Sequence, residues 1–302
     1  MIAQPHNAVR APNDDGFVLV AVLWILGGLA TLAAIYMLFV VNAATGLQID
    51  NERLQANASA KAALELTAYH LGGVPTKERP SDGAYTFRLG GSTVAVEFRT
   101  EAARIDLNTA PKPLLAGLFK ALGASAEAAD YYADRIDGWR SKAGAANNDQ
   151  DKEVTAYRTA GLRYDPRKGP FTSVQELWLV LGLPPQLVER ALPLVTVYSG
   201  LKAVNVVDAT PDVLAALPGM TPERLNDVLN LRATRPADPQ IILQMLGPAQ
   251  GGGTVEVTPS YRVTAQIRLR NGRLMRAEAV ILMMDDAPDP YRVLSWTDDF
   301  DD

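Results

Sequence analysis

The stretch from Phe17 to Val41 reads FVLVAVLWILGGLATLAAIYMLFVV and contains no charged side chain. The hydrocarbon layer of a bilayer, about 30 Å thick, is crossed by roughly 20 apolar residues in a helix that rises about 1.5 Å per residue. The stretch is therefore long enough to span a membrane. A secretory signal peptide is the competing interpretation, but its apolar region is shorter and follows a basic start. Because residues 1–16 carry Arg10 against Asp14 and Asp15, we favour a retained transmembrane helix over residues 17–41.

The residues after this stretch continue without a helix breaker. From Asn42 to Leu71 the chain has no proline, and apolar residues recur at steps of three, four or seven. This spacing is typical of a helix with one apolar face. The sequence therefore predicts one helix that ends at Gly72 and Gly73, with residues 42–72 as its amphipathic continuation. The predicted apolar stripe consists of Leu47, Leu54, Ala58, Ala62, Leu66 and Tyr69.

The amino-acid composition argues against catalysis and against nucleic-acid binding. The chain has no cysteine, two histidines (His6 and His70) and a formal net charge of -5. A hydrolase needs a nucleophile, a base and an orienting group held together, and no such set is visible in the sequence. A net negative chain also lacks the overall positive field that attracts nucleic acid. We therefore expect a protein that is not an enzyme.

Two regions have the alternation of β-strands. Tyr85–Leu89 and Thr93–Phe98 flank Gly90-Gly91, and Tyr261–Leu269 is followed by the turn pair Asn271-Gly272 and a return strand from Met275 to Met284. Each pair is predicted to form a β-hairpin. Residues 73–104 and 254–302 are therefore predicted to form one antiparallel sheet unit. Within it, the acidic end from Asp285 to Asp302 is expected to be disordered and solvated.

Residues 105–253 lie between these regions and show several helix starts. Residues 105–111 (IDLNTAP) align with residues 204–210 (VNVVDAT) at an offset of about 99 residues, and polar capping residues precede a helix in both. Helical runs around Gly182 and Gly219 have the pattern of helix-hairpin-helix units. The predicted fold is therefore α+β, with a large all-α domain inserted into an antiparallel sheet.

A resemblance to a known family rests on the N-terminal residues. Gly16 followed by Phe17 and an immediate apolar run resembles the prepilin peptidase site of type IV pilins and type II secretion pseudopilins. Most of these subunits have glutamate at the fifth mature position, where this chain has Ala21. The absence of that glutamate and the following residues 22–26 (VLWIL) resemble the K-type minor pseudopilins. One departure is Asp15, which stands where a basic residue often precedes the glycine.

The resemblance implies a pilin-like fold in which the long helix packs on the sheet. It implies that residues 1–16 are a leader removed by prepilin peptidase, leaving Phe17 as the mature N-terminus. It implies a subunit at the pseudopilus tip with the I-type and J-type minor pseudopilins, which starts or caps the filament on the inner-membrane assembly platform. The expected location is the inner membrane, crossed once, with the C-terminal domain in the periplasm.

Three further hypotheses concern binding. K-type pseudopilins bind calcium in the helical domain, so Asp137, Asp149, Asp151 and Glu153 are the candidate ligands here. Helix-hairpin-helix units also grip DNA in competence-type proteins, but residues 105–250 hold 15 Lys plus Arg and 16 Asp plus Glu, which gives no cationic excess. We expect no nucleic-acid partner. A single-pass membrane-anchored adaptor is the other alternative.

Overall fold

The N-terminal helix is the longest element of the chain. The computed structural model describes residues 15–141, 148–233, 239–246 and 252–300, and the chain divides into two compact units, Met1–Gln55 and Ala56–Asp302. Helix α1 extends from Asp15 to Gly72. Within it, Val18–Asn42 is apolar, and none of its most hydrophobic part is buried. This segment therefore has the length and composition of a single membrane crossing.

Five strands of the described chain form the main sheet of the second unit. Their order is β1-β2-β7-β8-β9, and every neighbouring pair is antiparallel. The turns between β1 and β2 and between β7 and β8 contain glycines with positive φ, as tight hairpin turns require. The strands are β1 (Asp82–Leu89), β2 (Ser92–Thr100), β7 (Ser260–Arg268), β8 (Leu274–Met283) and β9 (Tyr291–Asp298).

The edge strand β9 corrects the prediction of a disordered acidic end. Residues Tyr291–Asp298 pair with β8, and Trp296 packs against the core between the sheet and helix α1. Of the seven aspartates that suggested disorder, all except Asp298 lie outside this segment, whose own residues include Tyr291, Val293 and Trp296. A short strand with apolar and aromatic residues can therefore complete the sheet despite acidic neighbours.

Helix α1 packs on the sheet through a face that the sequence did not predict. The buried residues are mostly small: Ala56, Ala60, Ala63, Leu64, Ala68 and Leu71. In contrast, Ala58 is exposed and Tyr69 is 79% exposed, although both belong to the predicted stripe. Alanines let the helix approach the strands closely, and the Tyr85 hydroxyl of β1 donates to the carbonyl oxygen of Ala63 at 2.8 Å. The periodicity was identified correctly, but the face assigned to the core was wrong at Leu54, Ala58 and Tyr69. Ala62 and Leu66 are partly buried, and the Leu47 side chain lies outside the described residues.

A helical domain occupies the chain between β2 and β7. Its buried core joins side chains from most of its elements, including Leu115, Phe119, Trp139 and Tyr157. Two short parallel strand pairs, β3 with β4 and β5 with β6, were not predicted. The elements are β3 (Ile105–Asp106), α2 (Lys112–Ala121), α3 (Ala126–Arg140), α4 (Asn148–Thr159), α5 (Pro185–Ala191), β4 (Val195–Thr196), β5 (Val204–Asn205), α6 (Pro211–Ala215), α7 (Pro222–Ala233), α8 (Pro239–Leu246) and β6 (Gly253–Thr254). The α+β fold class predicted from the sequence is confirmed.

The helical domain joins the sheet at the end where helix α1 stops. β2 ends at Thr100, which is paired with Tyr261 near the start of β7. Tyr261 is paired in turn with Ile281 of β8, two residues before Met283. A Cβ on Gly72, the last residue of α1, would be 3.9 Å from Met283 Cε. The two hairpin turns therefore lie at the opposite end of the sheet.

Candidate functional site

The predicted processing residues lie at the start of the long helix. Gly16 and Phe17 fall within α1, which begins at Asp15, and their surroundings lie outside the described side chains. Ala21, which occupies the position of the missing glutamate, is partly exposed one turn later. Removal of residues 1–16 stays a prediction.

Two of the predicted calcium ligands are paired with arginines. Asp137 Oδ1 lies 2.9 Å from Arg140 Nη2, and Glu153 Oε2 lies 2.9 Å from Arg135 Nη1. Burial raises the pKa of Glu153, and this effect outweighs the opposing effect of Arg135. A positive partner on each carboxylate opposes a divalent cation.

The described residues therefore do not fit a calcium site, and no three His, Asp or Glu side chains among them are grouped so as to hold a metal. Asp149 and Asp151 belong to α4, but their side chains lie outside the described set. Isothermal titration of the full chain with calcium would decide the prediction, and no heat at millimolar ion would end it.

A buried carboxylate forms hydrogen bonds with both the helical domain and the sheet. Glu101, directly after β2, has a side chain that is 0% exposed. Its two oxygens accept from Arg262 Nε at 2.8 Å and Nη2 at 3.3 Å, and it also accepts from the Thr196 hydroxyl of the helical domain. Arg262 pairs on its other side with Glu278 of β8. One charge cluster therefore spans β7, β8 and the helical domain.

The pKa values of the arginines reflect this cluster. Burial lowers the pKa of Arg262, but the attraction and hydrogen bonds of Glu101 and Glu278 outweigh burial, so the pKa lies above its ordinary value. Burial, together with repulsion from Arg262, lowers the pKa of Arg104. Both side chains depend on Glu101 for compensation of their charge. Glu101 was not predicted from the sequence, since one acid after a strand gives no signal of burial.

The internal repeat found in the sequence is also a structural repeat. In the first copy, the amide of Ala110 donates to Asp106 O at 2.9 Å, and α2 and α3 follow. In the second copy, the amide of Ala209 donates to Asn205 O at 2.9 Å, and α6 and α7 follow. The side chains of Asp106 and Asn205 each accept from the amide two residues later, at 2.8 and 2.9 Å. The same turn therefore opens both helix pairs.

An arginine holds each of these turns from the second helix of its pair. Arg140, at the end of α3, donates to the carbonyl oxygens of Leu107 and Ala110 at 2.7 and 2.8 Å. Arg232, near the end of α7, donates to Ala209 O at 2.7 Å and to Val206 O. These arginines were not predicted from the sequence. Aligning the ends of the second helices would have revealed them.

Comparisons with known proteins agree with this architecture. The family model described as "Type II secretion system (T2SS), protein K", first domain, matches residues 99–200. A chain from the crystal structure of the GspK-GspI-GspJ complex of the enterotoxigenic Escherichia coli type 2 secretion system is similar in fold. The TM-score is 0.58 at 18% identity, and the match covers 84% of this chain and 98% of that chain. No curated protein matches.

A long helix on an antiparallel sheet, with an inserted helical domain, is a pilin-like fold enlarged by a second domain. The chain from the solved complex shares this fold. Residues 99–200 are similar to protein K of the type II secretion system, as the family match shows. The resemblance to the K-type minor pseudopilins is confirmed for these matched residues.

Proposed function

We propose that this chain is a minor pseudopilin that stands at the tip of the pseudopilus, with I-type and J-type minor pseudopilins, and starts or caps the filament that drives export across the outer membrane. The observation that carries the proposal is the attachment of the helical domain. The domain leaves the sheet at Thr100 and returns at Ser260, at the end where α1 stops at Gly72. Gly72 is the last residue of α1 and follows Asn42, the last residue of the apolar span, by 30 positions in the chain.

The position of the domain argues for a terminal subunit. A filament grows when the helix of one subunit packs beside the helices of its neighbours. A domain of about 150 residues at the far end of the sheet would occupy the space that a further subunit needs. Ala21 fits the same account, because a terminal subunit has no neighbour above it whose terminal amine requires a carboxylate partner in the apolar filament core.

The exposed apolar side of helix α1 supplies a packing surface for partner helices. Leu54 is 71% exposed and Tyr69 is 79% exposed, and Ala58 between them is also exposed. Burying apolar area stabilises by about 25 cal/mol per Å². The stripe that was wrongly assigned to the core is therefore the surface we assign to the neighbouring pseudopilins, together with the span Val18–Asn42.

The remaining parts of the proposal follow from the family. Prepilin peptidase would cut after Gly16, the span would hold the chain in the inner membrane, and the second unit would lie in the periplasm above the assembly platform. No residue performs chemistry in this account. A single-pass adaptor is the alternative, and it requires neither cleavage nor a filament.

Replacing residues 105–253 with a short linker between Arg104 and Thr254 tests the capping role. We expect the shortened chain to insert in the membrane as before, because the span Val18–Asn42 is intact, while secretion through the system falls sharply. Membrane insertion is the internal control and is measured by extraction at alkaline pH. Normal secretion by an inserted, stable variant would refute the capping role.

A further inference from the structure

Two neighbouring hairpin ends concentrate positive charge. Residues 86–95 and 266–277 contain no Asp or Glu and hold five arginines: Arg88, Arg268, Arg270, Arg273 and Arg276. The two segments surround the β1–β2 turn and the β7–β8 turn, which are adjacent because β2 pairs with β7. We call this region the arginine end of the sheet.

Strand register places the arginines on one surface. Thr93 of β2 is paired with Arg88 on one side and with Arg268 on the other, so both arginines project from the same face. Two strand spacings separate them by about 10 Å. Arg270 lies over the β1–β2 turn, since a Cβ on Gly91 would be 2.7 Å from Arg270 Nη2.

Three arginines of this region are available to a partner. Arg88, Arg268 and Arg270 are exposed, and none of them forms an ion pair with another residue of the described ranges. Arg276 is paired with Glu278 at 3.3 Å. Leu274 lies beside Arg268 in the strand register and is 63% exposed. Two aspartates also lie near this region: Asp298 is in register with Ala277, and Asp299 accepts from the backbone amide of Arg276 at 2.5 Å.

The arginine end lies at the end of the sheet nearer to Ala56, the first residue of the second unit. Tyr85 of β1 contacts Ala63 of helix α1, while Met283 at the far end of β8 is near Gly72. The hairpin turns lie beyond Tyr85 on the side away from Met283. They are therefore nearer to Ala56, where the second unit begins. Thirteen residues separate Ala56 from Asn42, the last residue of the span.

We propose that the arginine end binds the headgroups of anionic phospholipids on the surface of the membrane that anchors the chain. Guanidinium groups bind phosphate through two parallel hydrogen bonds. Each basic residue near an anionic bilayer contributes about 1 kcal/mol, which is about fivefold in the equilibrium constant. Exposed Leu274 can enter the headgroup layer beside the arginines. The proposal rests on the proposed membrane anchor and adds a second, charge-dependent contact with the same membrane.

The absence of cysteine makes a direct test simple. The full chain with Leu274→Cys carries one donor dye, and it is reconstituted in nanodiscs of zwitterionic lipid or of zwitterionic lipid mixed with phosphatidylglycerol. An acceptor dye on the headgroups reports energy transfer. The test variant is R268A/R270A, and the matched control is K77A/R292A, which removes two exposed positive charges from the opposite end of the sheet.

We expect higher transfer in the anionic nanodiscs, which decreases with ionic strength. R268A/R270A should weaken the headgroup contact about 25-fold, from two arginines at about fivefold each, while K77A/R292A leaves it unchanged. Equal energy transfer in both lipid mixtures, or equal loss of transfer in both variants, would overturn the proposal. It would favour an acidic protein as the partner of the arginine end. Failure of the chain to co-elute with nanodiscs at all would instead refute the membrane anchor.

Discussion

Replacing Glu101 with glutamine tests whether the buried charge cluster holds the helical domain on the sheet. Glutamine keeps the shape of the side chain but removes the negative charge that faces Arg262 at 2.8 and 3.3 Å. Breaking a buried ion pair by removing one partner typically costs 3–5 kcal/mol, because the other charge stays buried. Arg262 keeps Glu278 as a partner, so we expect the lower end, about 3 kcal/mol.

The assay is urea unfolding of the full chain in detergent, followed by tryptophan fluorescence. A loss of about 3 kcal/mol lowers the urea midpoint by about 1 M for a typical dependence on denaturant. The matched control is Arg276→Ala, since Arg276 is 59% exposed and pairs with the partly exposed Glu278 at 3.3 Å. An exposed pair contributes at most about 1 kcal/mol. A midpoint for Glu101→Gln no lower than that of the control would refute the reasoning.

Two further substitutions test packing and ionisation. Gly117→Ala should destabilise the helical domain by about 1–2 kcal/mol despite the better helix propensity of alanine, because a Cβ there would be 1.9 Å from the carbonyl oxygen of Ala216. Thermal unfolding measures this loss, and Gly73→Ala is the control, since the nearest atom to its Cβ would be 3.8 Å away. Burial, with help from the hydrogen bond to Glu65, raises the pKa of Tyr291 to about 12. The folded-state pKa is above the unfolded value of about 10, so this contact stabilises below pH 10 and is lost as the pH approaches 12. In an alkaline absorbance titration, Tyr291→Phe should remove one tyrosine that titrates near pH 12. Removal of one that titrates near pH 10 would contradict this assignment.

Local sequence patterns were sufficient to predict much of the architecture. The apolar stretch of α1, the glycine turns of both hairpins and the internal repeat are each encoded within a short segment, so they could be predicted. The face of α1 that packs on the sheet could not be, since alanines on one side and larger apolar residues on the other give similar periodicity. Which face packs on the sheet depends on the strands, because the small side chains of Ala60 and Ala63 let the helix approach them closely.

The functional residues also differ in whether a local sequence pattern could reveal them. The sequence predicted the processing residues Gly16 and Phe17 from a linear motif, and that prediction is still to be tested. Glu101, Arg140 and Arg232 act through partners far away in the chain. For example, Arg262 lies 161 positions after Glu101. Long-range pairing of this kind leaves no local pattern, and it determines how the helical domain joins the sheet.

N-terminal sequencing of the full chain isolated from membranes of cells that contain prepilin peptidase tests the central claim most directly. The account of a processed pseudopilin predicts Phe17 as the first residue, with the 16-residue leader absent. A chain that retains Met1 in the presence of active peptidase would contradict that account and favour the membrane-anchored adaptor.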